Sequence, residues 1–178
     1  MDHLWAPWRM EYVVTADAQD GCIFCTKPGE ECDQANGILA RGRYNYVILN
    51  AFPYNSGHLM IVPYAHERDF TSLAAEVLAE MFVLAQVAVA VLQEVLHAEA
   101  ANLGMNIGKA AGAGIRDHVH LHVVPRWSGD TNFMAVTAGT RVVPQSLAST
   151  WACLAPPMRA AVSARLGTEQ DAGADGGQ

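Results

Sequence analysis

The sequence predicts an α+β domain in which an antiparallel sheet is covered by one main helix. Three observations carry this reading. Residues 44–50 (YNYVILN) and 57–63 (GHLMIVP) are short runs of strand-forming side chains, and the six residues between them carry turn chemistry. Residues 73–97 contain neither Gly nor Pro and are dominated by Ala, Leu, Val, Glu, Gln and Met. Residues 118–125 alternate in the strict two-residue rhythm of a half-buried strand.

Taken in order, the chain to about Cys32 reads as irregular, rich in Trp, Pro and Gly, and lies over a core built further on. The first two strands pair through the turn at 51–56. Thr71 or Ser72 can cap the helix that follows, in which Leu73, Val77, Met81, Leu84, Ala88, Val91 and Val95 recur at three- and four-residue steps. Residues 102–108 read as a third strand, 109–114 as a loop of small residues, and 118–125 as the fourth strand. The 178 residues suit one domain, placed at 1–166, with a polar tail at 167–178 expected to be disordered.

Composition excludes some classes of partner. Half of the chain is apolar (51%), only 16% is charged, and the net charge is −7. That balance argues against broad binding to nucleic acid or to an anionic membrane surface. A single phosphorylated ligand remains compatible, because backbone N–H groups can hold it. The longest apolar stretch, 81–92, is interrupted by Gln86 and falls short of the ~20 residues a bilayer span needs. No secretion signal is visible, so a cytoplasmic setting is expected. There Cys22, Cys25, Cys32 and Cys153 are not expected to form a disulfide framework.

His118, His120 and His122 carry most of the functional argument. On a strand, alternate side chains share a face, so the three imidazoles point one way at a spacing of roughly 6.6 Å. Val119, Leu121 and Val123 point into the core. Such an array suits either a metal site completed by ligands from elsewhere or covalent catalysis, in which a neutral imidazole attacks phosphorus. Cys22-Ile23-Phe24-Cys25 is a CxxC pair, which suits half of a tetrahedral zinc site or a redox couple; no βαβ pattern surrounds it, which weakens the redox option.

The array resembles the signature of the histidine-triad (HIT) superfamily, His-φ-His-φ-His-φ-φ, where φ is apolar. The strings LWAPWRMEY, CIFC, LNAFPYNSGHLMIVP and HVHLHVVPRWSGDTNF extend the likeness from the N-terminus to about residue 140. The resemblance implies a five-stranded antiparallel sheet with one long helix and a shorter one, paired across a homodimer. It implies that His120 is the nucleophile, attacking the α-phosphorus of a nucleotide to form a nucleotidyl-histidine. His122 would then contact phosphate and leaving-group oxygens, and His118 would orient the site or bind metal. Asn50 matches a polar ribose-holding position, Asn106 a phosphate-contacting one, and Gly112 and Gly114 a loop that approaches the phosphates. His58 matches a supporting position.

One departure bears on the reaction. Where many family members carry Gln four residues before the first histidine, this chain has Gly114, and Ile115 replaces the hydroxyl residue that often follows. The space so left is expected to admit inorganic phosphate as second nucleophile, giving phosphorolysis rather than hydrolysis. The continuation PRWSGDTNF is similar to the branch acting on dinucleoside polyphosphates, which includes bacterial diadenosine-tetraphosphate phosphorylases. Arg126 and Trp127 offer a phosphate contact and a stacking surface, or, for Trp127, plain packing.

The resemblance also completes the CxxC pair with His66 and His118 into a closed structural Zn2+ site. Cys32 is a weaker alternative ligand, and Cys153 is expected to pack. The leading expectation is therefore a nucleotidyl-transfer enzyme cleaving diadenosine tetraphosphate to ADP and ATP. Alternatives are a hydrolase of dinucleoside polyphosphates or of nucleoside phosphoramidates, and a zinc-stabilised nucleotide-binding module without turnover.

Overall fold

A computed structural model describes residues 21–111, 115, 117–130 and 145–167. Five strands form one sheet in the order β1-β2-β3-β5-β4, every neighbouring pair antiparallel: β1 is Ile38–Arg41, β2 Asn45–Leu49, β3 Leu59–Pro63, β4 Ala100–Gly104 and β5 Leu121–Arg126. Short helices α1 (Ile23–Thr26) and α2 (Asp33–Asn36) precede the sheet. The long helix α3 spans Ala75–Leu96, and α4 spans Leu147–Leu166.

The two-residue rhythm sorts side chains between two cores. Leu39, Val47, Leu59, Ile61, Leu121 and Val123 pack with α3 and α4 on one face. Ile38, Tyr46, Ile48, Met60 and Val62 point the other way and pack under Phe24 of α1. Helix α3 is long and apolar enough to cross a membrane. Its buried face, including Met81, Leu84, Ala88, Val91 and Leu92, is spent on the sheet.

Several expectations shift. Neither Thr71 nor Ser72 caps α3: Asp69 caps a 3-10 turn at Phe70–Ser72, accepting from the Thr71 N–H at 3.0 Å, and α3 begins after Ala74 without a side-chain cap. Strand β4 starts two residues earlier than the expected 102–108 and ends four residues earlier, because its partner β5 begins at Leu121 and the last pair of the ladder is Gly104 with His122. Strand β1 had no expected position. Nor had α4, whose Pro156 and Pro157 read as helix breakers. An interior proline costs about 3 kcal/mol. Two such prolines stand in α4, and burying Leu154, Met158 and Val162 returns about 1.5–3 kcal/mol for each side chain, a gain of the same order as the break. The segments 1–20, 112–114 and 168–178 lie outside the described residues, and with them the LWAPWRMEY string, Gly112, Gly114 and the expected tail.

Glu80 of α3 anchors the β1–β2 turn. Its carboxylate accepts from the backbone N–H groups of Arg43 (2.9 Å), Tyr44 (2.8 Å) and Asn45 (2.8 Å), and from Asn45 Nδ2 (3.0 Å). Gly42 is required beside it, since a Cβ there would stand 2.7 Å from Glu80 Oε1. Replacing Glu80 by Ala strands three backbone donors and is expected to cost about 3 kcal/mol in urea unfolding. Glu80→Gln, which keeps one acceptor oxygen, should recover much of that loss.

Candidate functional site

The three triad histidines arrive on one segment but in different settings. Only His122 belongs to β5; His118 and His120 lie on its extended lead-in, where the Val119 N–H donates to Glu67 O at 2.8 Å. They share the sheet face of Phe24, whose ring lies 5.5 Å from His118 and 5.0 Å from His120 between centroids, while Val119 joins the opposite core. The same-face expectation therefore holds. The rings are closer than a flat strand predicts, with His120 and His122 at 4.8 Å.

Hydrogen-bond partners assign the proton on each ring. His118 Nε2 donates to Pro63 O at 2.8 Å, which leaves Nδ1 as the bare nitrogen. His120 Nδ1 donates to His118 O at 2.9 Å, which leaves His120 Nε2 bare. The Tyr54 N–H donates to His58 Nδ1 at 3.0 Å, so His58 Nε2 carries the proton that it gives to His122 Nδ1, also at 3.0 Å. The proton of neutral His122 then sits on Nε2. Burial lowers the pKa of both His118 and His120, against the opposing pull of the carbonyls they donate to, and holds both rings neutral near pH 7.

Exposure differs sharply along the triad. His118 is fully buried and His120 is 6% exposed, enclosed by Phe24 and its neighbours. His122 is half-buried and opens onto a cleft of about 480 Å3, whose walls include Tyr54, Asn55, Asn102, Asn106 and Arg126. Asn106 stands two residues past β4 on this wall rather than closing the strand. Asn50 follows β2, where its Oδ1 accepts from the Phe52 N–H at 2.9 Å and its Nδ2 lies 3.4 Å from each ring nitrogen of His58. Its carbonyl thus makes a local turn.

Two further residues have settled roles. The Arg126 guanidinium is engaged by Asp130 (Nη2 to Oδ1, 2.8 Å) and by Asn102 Oδ1 (2.9 Å), so it braces the cleft wall. Trp127 Nε1 donates to His97 O at 2.9 Å and satisfies a terminal carbonyl of α3, which is the packing option. Ile115 packs against the Phe24–Tyr46 cluster, an apolar use of a position expected to bear a hydroxyl.

The second constellation joins Cys22, Cys25, His66 and His118, whose ligand atoms all lie within 4.8 Å of one another. Cys22 Sγ is 3.3 Å from His118 Nδ1, and Cys25 Sγ is 3.2 Å from His66 Nδ1 and 3.6 Å from His118 Nδ1. A tetrahedral metal with Zn–S and Zn–N bond lengths places such atoms about 3.6 Å apart. Burial and the neighbouring Cys22 raise the Cys25 thiol pKa; a bound cation would reverse that and stabilise two thiolates. The Pro63 carbonyl behind His118 supplies the outer contact that metal-binding imidazoles require. Thus the donor set can hold a metal ion. Cys32 is outside the cluster, and Cys153 packs within α4, donating to Thr150 O at 3.2 Å.

Support for the triad includes residues that sequence reasoning passed over. Tyr46 donates its buried hydroxyl to Phe24 O at 2.8 Å and so fixes the ring that covers His118 and His120. A polar tip on an otherwise apolar strand was the available signal. Tyr46→Phe leaves the Phe24 carbonyl unpaired and is expected to lower stability by about 1–2 kcal/mol, read by urea denaturation.

The HIT domain family model matches residues 34–129 of the chain. An AP-4-A phosphorylase of Mycobacterium tuberculosis is 36% identical over 162 residues, covering 87% of this chain and 83% of that protein. Among solved structures, a histidine triad nucleotide-binding protein of Sulfolobus tokodaii superposes with a TM-score of 0.62 at 22% identity, over 80% of this chain and 93% of that one. A Zn-bound histidine triad family protein of Mycobacterium smegmatis superposes at 0.56 and 23% identity, over 88% and 96%.

Proposed function

This chain belongs to the HIT domain family, and from that premise we propose that it is an enzyme cleaving dinucleoside polyphosphates by nucleotidyl transfer to His120. The observation that carries the reading is the bond from His120 Nδ1–H to His118 O, because it leaves Nε2 of His120 with its lone pair unprotonated. The likeness to an AP-4-A phosphorylase supports the substrate class.

In the first step His120 Nε2 attacks the α-phosphorus of diadenosine tetraphosphate. An N–P bond forms, the P–O bond to the leaving chain breaks, and ATP departs. Positive charge that develops on the ring is stabilised by His118 O, which accepts from Nδ1. His122 Nε2–H is the donor for the departing oxygen, and His58 holds His122 in the required tautomer. In the second step an oxygen of inorganic phosphate attacks the same phosphorus, the N–P bond breaks, and ADP leaves. Asn50 and Asn106 are assigned to ribose and phosphate, together with Gly112 and Gly114.

The expected products with phosphate present are ADP and ATP, resolved by ion-exchange chromatography. AMP and ATP formed without phosphate assign a hydrolase instead. His120→Ala is expected to lose covalent labelling by radiolabelled nucleotide and to lower kcat by at least about a thousandfold. Burial of His120 favours one other reading, a nucleotide-binding module without turnover; tight binding with neither labelling nor products decides for it.

We also assign the Cys22, Cys25, His66 and His118 cluster to a structural zinc ion, in line with the Zn-bound relative. Bound zinc would tie α1 to the segment bearing the triad. One zinc per chain is expected by elemental analysis, with Cys25→Ser lowering both metal content and melting temperature; full metal content in that variant would contradict the assignment. The reading carries with it a cytoplasmic homodimer, for which β4 offers an edge that is unpaired among the described residues.

A further inference from the structure

We propose that Cys22 and Cys25 form a reversible oxidation site for peroxides, and that closing a disulfide between them frees α1 from the triad segment and uncovers His120. This rests on the structural-zinc reading.

The setting selects these two thiols. Cys25 and His66 face solvent, Cys22 is half-buried, and His118 forms the buried side of the cluster. A peroxide therefore meets Cys25 first. Metal ligation would keep both sulfurs as thiolates, the form that reacts. It shields the inner sulfur, while that of Cys25 stays open to solvent. Cys32 and Cys153 stand outside the cluster.

The backbone brings the pair within bridging range. The Cys25 N–H donates to Cys22 O at 2.9 Å, which closes one turn over the motif. Such a turn holds its end Cα atoms within about 7 Å, and a disulfide spans about 4.4–6.8 Å. The two Sγ atoms already lie within 4.8 Å of each other.

Two displacements complete the chemistry. Cys25 Sγ attacks one oxygen of hydrogen peroxide, the O–O bond breaks, and the departing hydroxide takes a solvent proton to become water. Cys22 Sγ then attacks the hydroxyl-bearing sulfur, the S–O bond breaks, and a second hydroxide leaves as water with another solvent proton. The two thiolates lose two electrons and the peroxide gains them. His66 and His118 remain, too few ligands for a tetrahedral ion. A disulfide with an exposed sulfur is readily reduced, so the step can be undone.

The consequence reaches the triad through Phe24. This residue sits between the two cysteines, and its ring lies 5.5 Å from His118 and 5.0 Å from His120. The thiols of the same turn face His118 Nδ1, and the His118 carbonyl accepts from His120 Nδ1. The cover over His120 and the residue that supports it are thus clamped together by the cluster. Once the pair is bridged, that clamp is gone. The Tyr46 hydroxyl on Phe24 O and the packing of the Phe24 ring then hold α1 by themselves. His120, 6% exposed beneath this cover, becomes accessible.

The test uses the Cys32→Ser/Cys153→Ser protein purified under reducing conditions, in which Cys22 and Cys25 supply the only thiols. Hydrogen peroxide is added. Free thiols are counted, released zinc is read with a chromogenic chelator, and carbethoxylation of His120 by diethyl pyrocarbonate is followed by tandem mass spectrometry. Two thiols and one zinc per chain are expected to be lost. Modification of His120 should become at least about fivefold faster, as local opening requires. Dithiothreitol with zinc should reverse all three changes, and the wild-type chain should release its zinc at the same peroxide concentration. Zinc retained with both thiols intact, thiol loss that dithiothreitol does not reverse, or zinc release with unchanged His120 modification overturns the proposal while structural zinc stands. Absence of zinc from the reduced protein overturns both readings together.

Discussion

One carbonyl oxygen orients the histidine at which the two constellations of this protein meet. Pro63 O, at the end of β3, accepts from His118 Nε2–H. That bond decides which nitrogen of His118 faces the thiols of Cys22 and Cys25, while the backbone carbonyl of the same residue accepts from His120 Nδ1. A proline is well placed for this task. It ends the ladder with Asn45 without contributing an N–H of its own, and its carbonyl aims across the sheet face. The nitrogen proposed to bind metal and the nitrogen proposed as nucleophile are thus both defined by hydrogen bonds of His118, one made by its ring and one by its backbone carbonyl.

A second relay approaches the triad from the opposite side. The Tyr54 N–H, His58 and His122 form a series in which each ring accepts on Nδ1 and carries its proton on Nε2. Backbone groups stand at the head of both relays, so neither depends on the rotamer of a flexible side chain for its starting direction. The outcome is a pair of imidazoles that present different groups: His120 a bare Nε2, His122 an Nε2–H.

Much of this was legible in the residues. Alternation in 118–125 gave the face shared by the histidines; the CxxC spacing gave half of a ligand set, and the family resemblance added His66 and His118. What stayed hidden depends on tertiary partners. Ile38–Arg41 is four residues long and gains its strand state from pairing with β2. Pro156 and Pro157 disguised a helix that packing sustains. Asn50 matches a ribose-holding position by resemblance, and the use of its side-chain carbonyl in a local turn appears only in the structure. Trp127 was open to stacking or to packing in sequence, and its indole N–H donates to His97 O just past α3. Burial of His120 could not be foreseen either, because the cover comes from Phe24, nearly a hundred residues away along the chain.

The ligand cluster joins opposite ends of the described sheet domain, since Cys25 and His118 are 93 positions apart. At ribosomal rates of about 5–20 residues per second, the thiols emerge several seconds before their buried imidazole partner. For that interval they are an incomplete pair, open to solvent and oxidants. The same event that threads the triad segment between β3 and β4 brings His118 against them, so maturation of the reactive strand and protection of the earliest-made cysteines occur in one stroke.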